Sequence, residues 1–212
     1  MKTPPESPTR ENLGLVEYED ALRIMQEFTD SRSEATRDRV LFLQHKPVYT
    51  LGLNGDPQHV LDAGNIPVIN IDRGGQVTFH GPGQLVVYPL LDIRRLKLNV
   101  RKLVEALENT IIDTLAIYDI SAKGHCDAPG VYTQSGDKIA ALGLRIRRGC
   151  CYHGIAFNVA MDLEPFSRIN PCGFRDLKVT QVSDLGGPAD VDRVSDDLWP
   201  HLLKRLGYNN AA

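Results

Sequence analysis

No run of apolar residues in this sequence is long enough to cross a bilayer, and none has the apolar core of a signal peptide, so no membrane association is expected. Cysteine is scarce. Cys126, Cys150, Cys151 and Cys172 are the only four, and they lack the paired spacing of a zinc knuckle or a disulfide framework; free thiols are expected, with no metal. The adjacent Cys150 and Cys151, with His153 two residues on and His125-Cys126 upstream, make a poor ligand set, because neighbours on a strand point to opposite faces. A net charge of −3 gives no overall field for nucleic acid, and no basic stretch is interleaved with aromatics. There is no internal repeat, no Walker lysine-serine ending and no dinucleotide glycine spacing. The polar, proline-rich opening Met1–Pro8 suggests a disordered leader over residues 1–12, followed by one domain over 13–212 of a cytoplasmic protein.

Ala21, Leu22, Ile24, Met25 and Phe28 recur at helical spacing and predict a helix from Tyr18 to about Ser31. Strands are expected at Val40–Leu43, Val68–Ile71, Val77–Phe79 and Leu85–Leu91, the last two separated by a turn or bulge at His80-Gly81-Pro82-Gly83. Asn99 reads as the N-cap of a long amphipathic helix presenting Leu103, Val104, Leu107, Ile111 and Leu115 on one side. Lys138–Ile146 and Tyr152–Val159 read as strands joined at Arg147-Arg148-Gly149, and Val191–Leu206 as a helix kinked or restarted at Pro200. Strands and helices do not alternate regularly. The expected class is therefore α/β of the α+β type, a mixed, largely antiparallel sheet flanked by helices.

Three segments carry candidate chemistry. Cys172, in Asn170-Pro171-Cys172-Gly173, lies between a residue that fixes the chain and one that leaves the next amide unhindered, as a nucleophilic thiol needs. Lys138 opens a strand after Ser135-Gly136-Asp137; beside a thiol, its ammonium would stabilise the thiolate and, once neutral, could accept a proton. The run Arg73, Gly74, Gly75, Gln76, Val77, Thr78, Phe79 and His80 sets bare backbone beside a guanidinium and an imidazole, suiting close approach to a ligand, although the glycines alone read more readily as tight turns. Further on, Gly154, Ala156 and Asn158 share one strand face while Ile155, Phe157 and Val159 share the other, and Ala141 and Gly143 thin the neighbouring strand. Two thin faces side by side could hold a straight acyl chain, whose burial contributes about 0.8 kcal/mol per CH₂.

Together these motifs resemble the lipoyl(octanoyl) transferase family. The resemblance runs from about Val40 to Gln181 and includes His45-Lys46-Pro47-Val48-Tyr49-Thr50-Leu51-Gly52, Arg73 to Gln84, Pro129-Gly130-Val131-Tyr132, Lys138 to Gly143, His153 to Val159 and Asn170 to Gly173. Tyr132, Phe79 and the Cys150-Cys151 pair depart mildly from the family pattern, and Cys151 is a thiol that could lie near the pocket. The resemblance implies the fold of the biotin/lipoate protein ligase catalytic domain. It implies that Cys172 is the acyl-thioester nucleophile, that Lys138 lowers its pKa, and that Arg73 to His80, Ala141, Leu142 and Gly143, and Gly154, Ile155 and Ala156 contact the acyl group. It further implies octanoyl transfer from octanoyl-acyl carrier protein to a lysine ε-amine of apo lipoyl domains, those of 2-oxoacid dehydrogenases and the glycine cleavage H protein, by a monomer without a cofactor. The alternatives are an ATP-dependent lipoate or biotin ligase, a non-catalytic acyl-protein binding module and a cysteine hydrolase. Arg94, Arg95, Lys97, Arg101 and Lys102, then Arg145, Arg147 and Arg148, are candidates for docking a protein partner or for plain solvated surface.

Overall fold

Two runs, Gln84–Asp92 and Cys150–Asn158, are buried at every position, which only central strands covered on both faces can be. The computed structural model describes residues 6–125, 128–173 and 177–208, with the side chain of Cys172 outside that description. In chain order the elements are β1 (Thr9–Val16), α1 (Tyr18–Ser31), β2 (Arg39–His45), β3 (Val48–Leu51), β4 (Val68–Asn70), β5 (Val77–His80), β6 (Gln84–Asp92), α2 (Val100–Ala116), β7 (Ala122–Gly124), β8 (Gly130–Thr133), β9 (Lys138–Arg147), β10 (Cys150–Asn158) and α3 (Val191–Leu206). Seven strands pair in the order β1-β2-β6-β10-β9-β8-β7, and a smaller sheet runs β4-β3-β5. Among the strand pairs of the described residues only β1–β2 and β3–β4 are parallel, so the expected mixed, largely antiparallel architecture is what the chain forms.

The helices cover the large sheet unequally. Leu103, Leu107, Ile111 and Leu115 of α2, with Leu198, Leu202 and Leu206 of α3, bury one face with Phe42, Val87, Ile155 and Phe157. Ala21 and Met25 of α1 cover part of the other face against Leu41, Leu43, Val86 and Tyr152, and the small sheet packs beside them. Asn99 caps α2 as expected, its side chain accepting from the Lys102 amide at 2.9 Å. α3 does not restart at Pro200; it runs on to Leu206, because Leu202, Leu203 and Leu206 remain in the core beyond the proline.

The expected leader over residues 1–12 is corrected at its C-terminal end, because Thr9 to Asn12 already belong to β1. That strand pairs with β2 from Thr9↔Arg39 to Val16↔His45, and the Thr9 amide donates to the Asp38 carbonyl at 2.9 Å. As an edge strand with one solvated face it carries few apolar residues, so its sequence did not stand out.

Asp38, fully buried just before β2, ties the sheet's end together. Its carboxylate accepts from the Arg32 guanidinium after α1, from the Asp92 amide at the end of β6 at 2.9 Å, and from the Tyr208 hydroxyl after α3 at 2.7 Å. Removing one partner of a buried pair leaves the other charge without compensation. Asp38→Ala should therefore lower unfolding stability by about 3–5 kcal/mol, read from urea melts; a loss below ~1 kcal/mol would show that the knot contributes little.

Candidate functional site

The site begins with an in-register gap in the β10–β6 ladder. Opposite it, β6 carries Pro89, which lacks an amide hydrogen and belongs in a sheet only where the ladder is interrupted. Pairing of β10 with β6 stops after Cys151↔Leu91 and resumes at Ile155↔Val87. Between these, His153 takes a left-handed conformation with φ 58°, which brings its ring to the α1 side of the sheet. Gly154 follows where β6 comes closest, since a Cβ there would sit 2.2 Å from the Val87 carbonyl oxygen. Gly143 of β9 is bare for a similar reason, because a Cβ would meet Arg73 Cδ at 2.8 Å. The turn after β4 is stitched to the free edge of β9 by the Gly74 amide donating to the Leu144 carbonyl at 3.0 Å.

Between these bare positions lies a slot. Ala141, Leu142 and Gly143 of β9 and Gly154, Ile155 and Ala156 of β10 form one wall, and Arg73, Gly75, Gln76, Val77, Thr78 and His80 the other. Tyr18, Tyr88 and His153 line the same slot. Phe79 is a correction. Alternation along β5 sends Thr78 and His80 to the slot but turns the Phe79 ring to the opposite face, against Tyr49 and Phe166. Gly74 borders not the slot but an adjoining groove with Val100, Val104, Pro129 and Leu144.

The slot continues past Thr78, Ala141 and Ala156 into a small chamber lined by Gln84, Asn158, Lys138 and Pro171. Lys138 is buried there. Its Nζ donates to the Pro129 carbonyl at 3.3 Å and lies 5.1 Å over the Tyr132 ring. Its stem passes Gly130, whose φ is 151° and where a Cβ would be 2.7 Å from Lys138 Cε. Glu108 of α2 accepts the Gly130 amide at 2.9 Å, and burial pushes its carboxyl pKa up. Cys172 lies in a helical turn, Pro171–Gly173, anchored where the Asn170 amide donates to the His59 carbonyl at 2.8 Å. Of the thiol itself nothing can be placed, since its side chain is outside the described atoms. Cys151 is no rival nucleophile. It is buried in the core on the α2 side, its thiol donates to the Pro89 carbonyl at 3.0 Å, and burial raises its pKa to about 12.

Several site residues were missed by sequence reasoning. Behind the slot, Tyr18 OH meets His153 Nδ1 at 3.4 Å, His153 Nε2 meets Asp72 at 2.8 Å, Tyr152 also donates to Asp72, and His45 Nε2 meets Tyr88 OH at 2.7 Å. His45 and His153 stood in quoted motifs; nothing in the sequence marked Tyr18, Asp72 or Tyr88. Hydrogen bonds from His153 and Tyr152 hold the Asp72 carboxyl at about 2, while burial keeps His153 neutral; the contact is thus a neutral imidazole N–H donating to a carboxylate. Burial also lowers His45 to about 4 and His80 well below its ordinary value. Of the candidate basic residues, Arg94 pairs with Asp92, Arg147 with Asp30, and Arg95 donates to the Glu34 and Thr36 carbonyls.

Three buried neutral imidazoles have a consequence for acid stability. Each has a folded pKa below its unfolded one, so its contribution is complete above about pH 6.5 and is lost as pH falls toward the folded value. The unfolding free energy should fall on acidification from pH 6.5 to 5, with a limiting slope of about 1.4 kcal/mol per pH unit for each imidazole kept neutral. Urea melts at pH 7, 6 and 5 measure it; a flat profile would contradict the neutral assignment.

The model of the lipoyl protein ligase A/B catalytic domain matches residues 17–202 of this chain. An octanoyltransferase of Xanthomonas campestris pv. campestris is 57% identical over 196 residues, covering 92% of this chain and 84% of that protein. One from Methylococcus capsulatus is 54% identical over 200 residues, covering 94% and 96%. Among solved structures, the bipartite lipoate protein ligase of Thermoplasma acidophilum superposes with a TM-score of 0.77 at 16% identity, covering 96% of this chain and 86% of that one, a likeness of fold. The match spans every strand that walls the slot, and the chain belongs to the octanoyltransferases of the lipoyl protein ligase A/B catalytic domain family.

Proposed function

We propose that this chain transfers an octanoyl group from octanoyl-acyl carrier protein to the ε-amine of a lysine on apo lipoyl domains, through a thioester on Cys172. It is an acyltransferase of lipoate assembly, and its substrates are proteins, lipoyl domains among them. The observation that carries the residue assignment is the continuity of a narrow, glycine- and alanine-walled slot with a chamber where Lys138 and Pro171, the neighbour of Cys172, share the lining. A straight saturated chain fits such a slot because it needs width for methylenes and no polar partners along its length.

In the first half-reaction the Cys172 thiolate attacks the thioester carbonyl. A bond forms from Sγ to the acyl carbon, the bond to the carrier sulfur breaks, and the Lys138 ammonium gives its proton to the departing carrier thiolate. In the second, the amine of the acceptor lysine attacks the acyl-enzyme. A C–N bond forms, the Cys172 thiolate leaves, and neutral Lys138 takes the amine's proton, which restores the starting thiolate and ammonium. No ATP enters, because the acyl group arrives already activated as a thioester. Carrier recognition falls to Arg101 and Lys102 on the first turn of α2, beside the groove formed by Val100, Val104 and Leu144.

Three variants test the assignment. Cys172→Ser should abolish turnover, Lys138→Ala should slow both half-reactions in single-turnover assays, and Gly130→Ala, which presses a methyl on both the Lys138 stem and the Ala140 carbonyl, should lower kcat by about 10²-fold and also lower the thermal midpoint. Substantial turnover by Cys172→Ser would sink the covalent route, and full activity of Gly130→Ala would show that Lys138 tolerates displacement.

A further inference from the structure

From Arg73 at the acyl slot a line of buried side chains runs across four strands to the segment that pairs with Lys138. Arg73 NH2 reaches Thr50 Oγ1 at 3.1 Å, Thr50 Oγ1 reaches His80 Nε2 at 3.2 Å, His80 Nδ1 reaches Gln84 Oε1 at 2.8 Å, Gln84 Nε2 reaches Asn158 Oδ1 at 3.0 Å, and Asn158 Nδ2 reaches the Thr180 carbonyl at 3.0 Å. Thr50, His80, Gln84 and Asn158 are all buried, so water does not complete any link.

The line has one direction. The Thr180 carbonyl and the Phe79 carbonyl, the latter 3.2 Å from Gln84 Nε2, only accept, so Asn158 and Gln84 turn their amide hydrogens that way. His80 Nδ1 must then donate to Gln84 Oε1, and its bare Nε2 takes the hydrogen of the Thr50 hydroxyl, whose oxygen also accepts from the Arg73 guanidinium. With a pure donor at one end and a pure acceptor at the other, neither amide can flip and the imidazole cannot change tautomer without breaking a buried bond.

The far end of the line is the backbone around Lys138. The Lys138 amide donates to the Lys178 carbonyl at 2.8 Å, and the Thr180 amide donates to the Lys138 carbonyl at 2.9 Å, so residues 178–180 bracket the lysine on both sides. Asn158 grips this segment twice, through its side chain to Thr180 and through its own carbonyl, which accepts from the Val182 amide at 3.0 Å.

We infer that this directed hydrogen-bond line, with Thr50, His80, Gln84 and Asn158 as positioning residues, fixes the strand that carries Lys138 and so sets the amine against the nucleophilic thiol. The inference rests on the Cys172–Lys138 reading proposed above. His80 borders the slot and Gln84 and Asn158 the chamber, but their hydrogen bonds reach Lys138 through the 178–180 backbone, so breaking the line should move thiol reactivity and kcat more than substrate affinity.

Two variants cut the line at separate points in the full-length enzyme. Gln84→Met keeps the length of the side chain and adds no charge beside Lys138, but cannot donate to Asn158. Thr50→Val, nearly isosteric and outside the chamber lining, removes the hydroxyl that joins Arg73 to His80, and Thr50→Ser puts a hydroxyl back. The readouts are kcat and KM with octanoyl-acyl carrier protein, the thermal midpoint, and the pH dependence of iodoacetamide alkylation, mapped by peptide mass. Gln84→Met and Thr50→Val are expected to lower kcat roughly tenfold, with KM changed less than about twofold. The midpoint of Cys172 alkylation should rise by about one pH unit in both, and Thr50→Ser should recover most of the loss. Folded variants with the parent's alkylation profile would overturn the inference while leaving the dyad intact, whether or not kcat fell. If Cys172 of the parent shows no enhanced alkylation at neutral pH and Cys172→Ser still turns over, the dyad reading fails and the inference falls with it.

Discussion

The site depends on how closely three strands approach where their side chains vanish. At Gly154 a methyl group would sit 2.2 Å from the Val87 carbonyl oxygen, and at Gly143 one would press on the Arg73 stem. Because those positions are bare, the turn from Arg73 to Gln76 can lie down on the edge of β9, and the slot between them is bounded by backbone rather than by mobile side chains. Pro89 belongs to the same constraint. It lies in the gap of the β10–β6 ladder, and the left-handed backbone of His153 across that gap turns its ring to Tyr18 and Asp72.

A slot with bare walls still needs a rigid setting, and polar side chains supply it. Arg73 is held by the carbonyls of Thr50, Gly74 and Gln76, so although charged it works partly as a staple for the loop that forms the slot's second wall. Beyond it lie imidazoles kept neutral by burial, each with a ring nitrogen paired to a hydroxyl, an amide or a carboxylate. Such networks stabilise only when every member is satisfied, and they then allow a single arrangement. Lys138 is placed by the same means at the other end, through the bare Gly130 that lets its stem pass and the Glu108 carboxylate that holds the Gly130 amide.

Much of this was legible in the sequence where local chemistry decides structure. The period of Ala21, Leu22, Met25 and Phe28 fixed α1, Asn99 announced the start of α2, and the alternation of Gly154, Ala156 and Asn158 with Ile155, Phe157 and Val159 foretold a bare face and a core face. What escaped depends on partners far along the chain. β1 is polar and recognisable only beside β2; β3, β7 and β8 are three or four residues long and hold their place through pairing. The left-handed turn at His153 and the turning of the buried Phe79 ring away from the slot are set by register against β6 and the small sheet, which no local pattern reports. The links from Gln84 to Asn158, and from Glu108 to Gly130, join residues 74 and 22 positions apart, beyond the reach of any spacing rule.

The central claim is that acyl transfer passes through a thioester on one particular cysteine with no other activation. Intact-protein mass spectrometry after mixing the enzyme with octanoyl-acyl carrier protein, without ATP or acceptor, followed by peptide mapping, tests it most directly. The account predicts one octanoyl adduct, located on Cys172 and discharged on adding an apo lipoyl domain. Absence of an adduct, with transfer seen only when ATP and free octanoate are supplied, would contradict it.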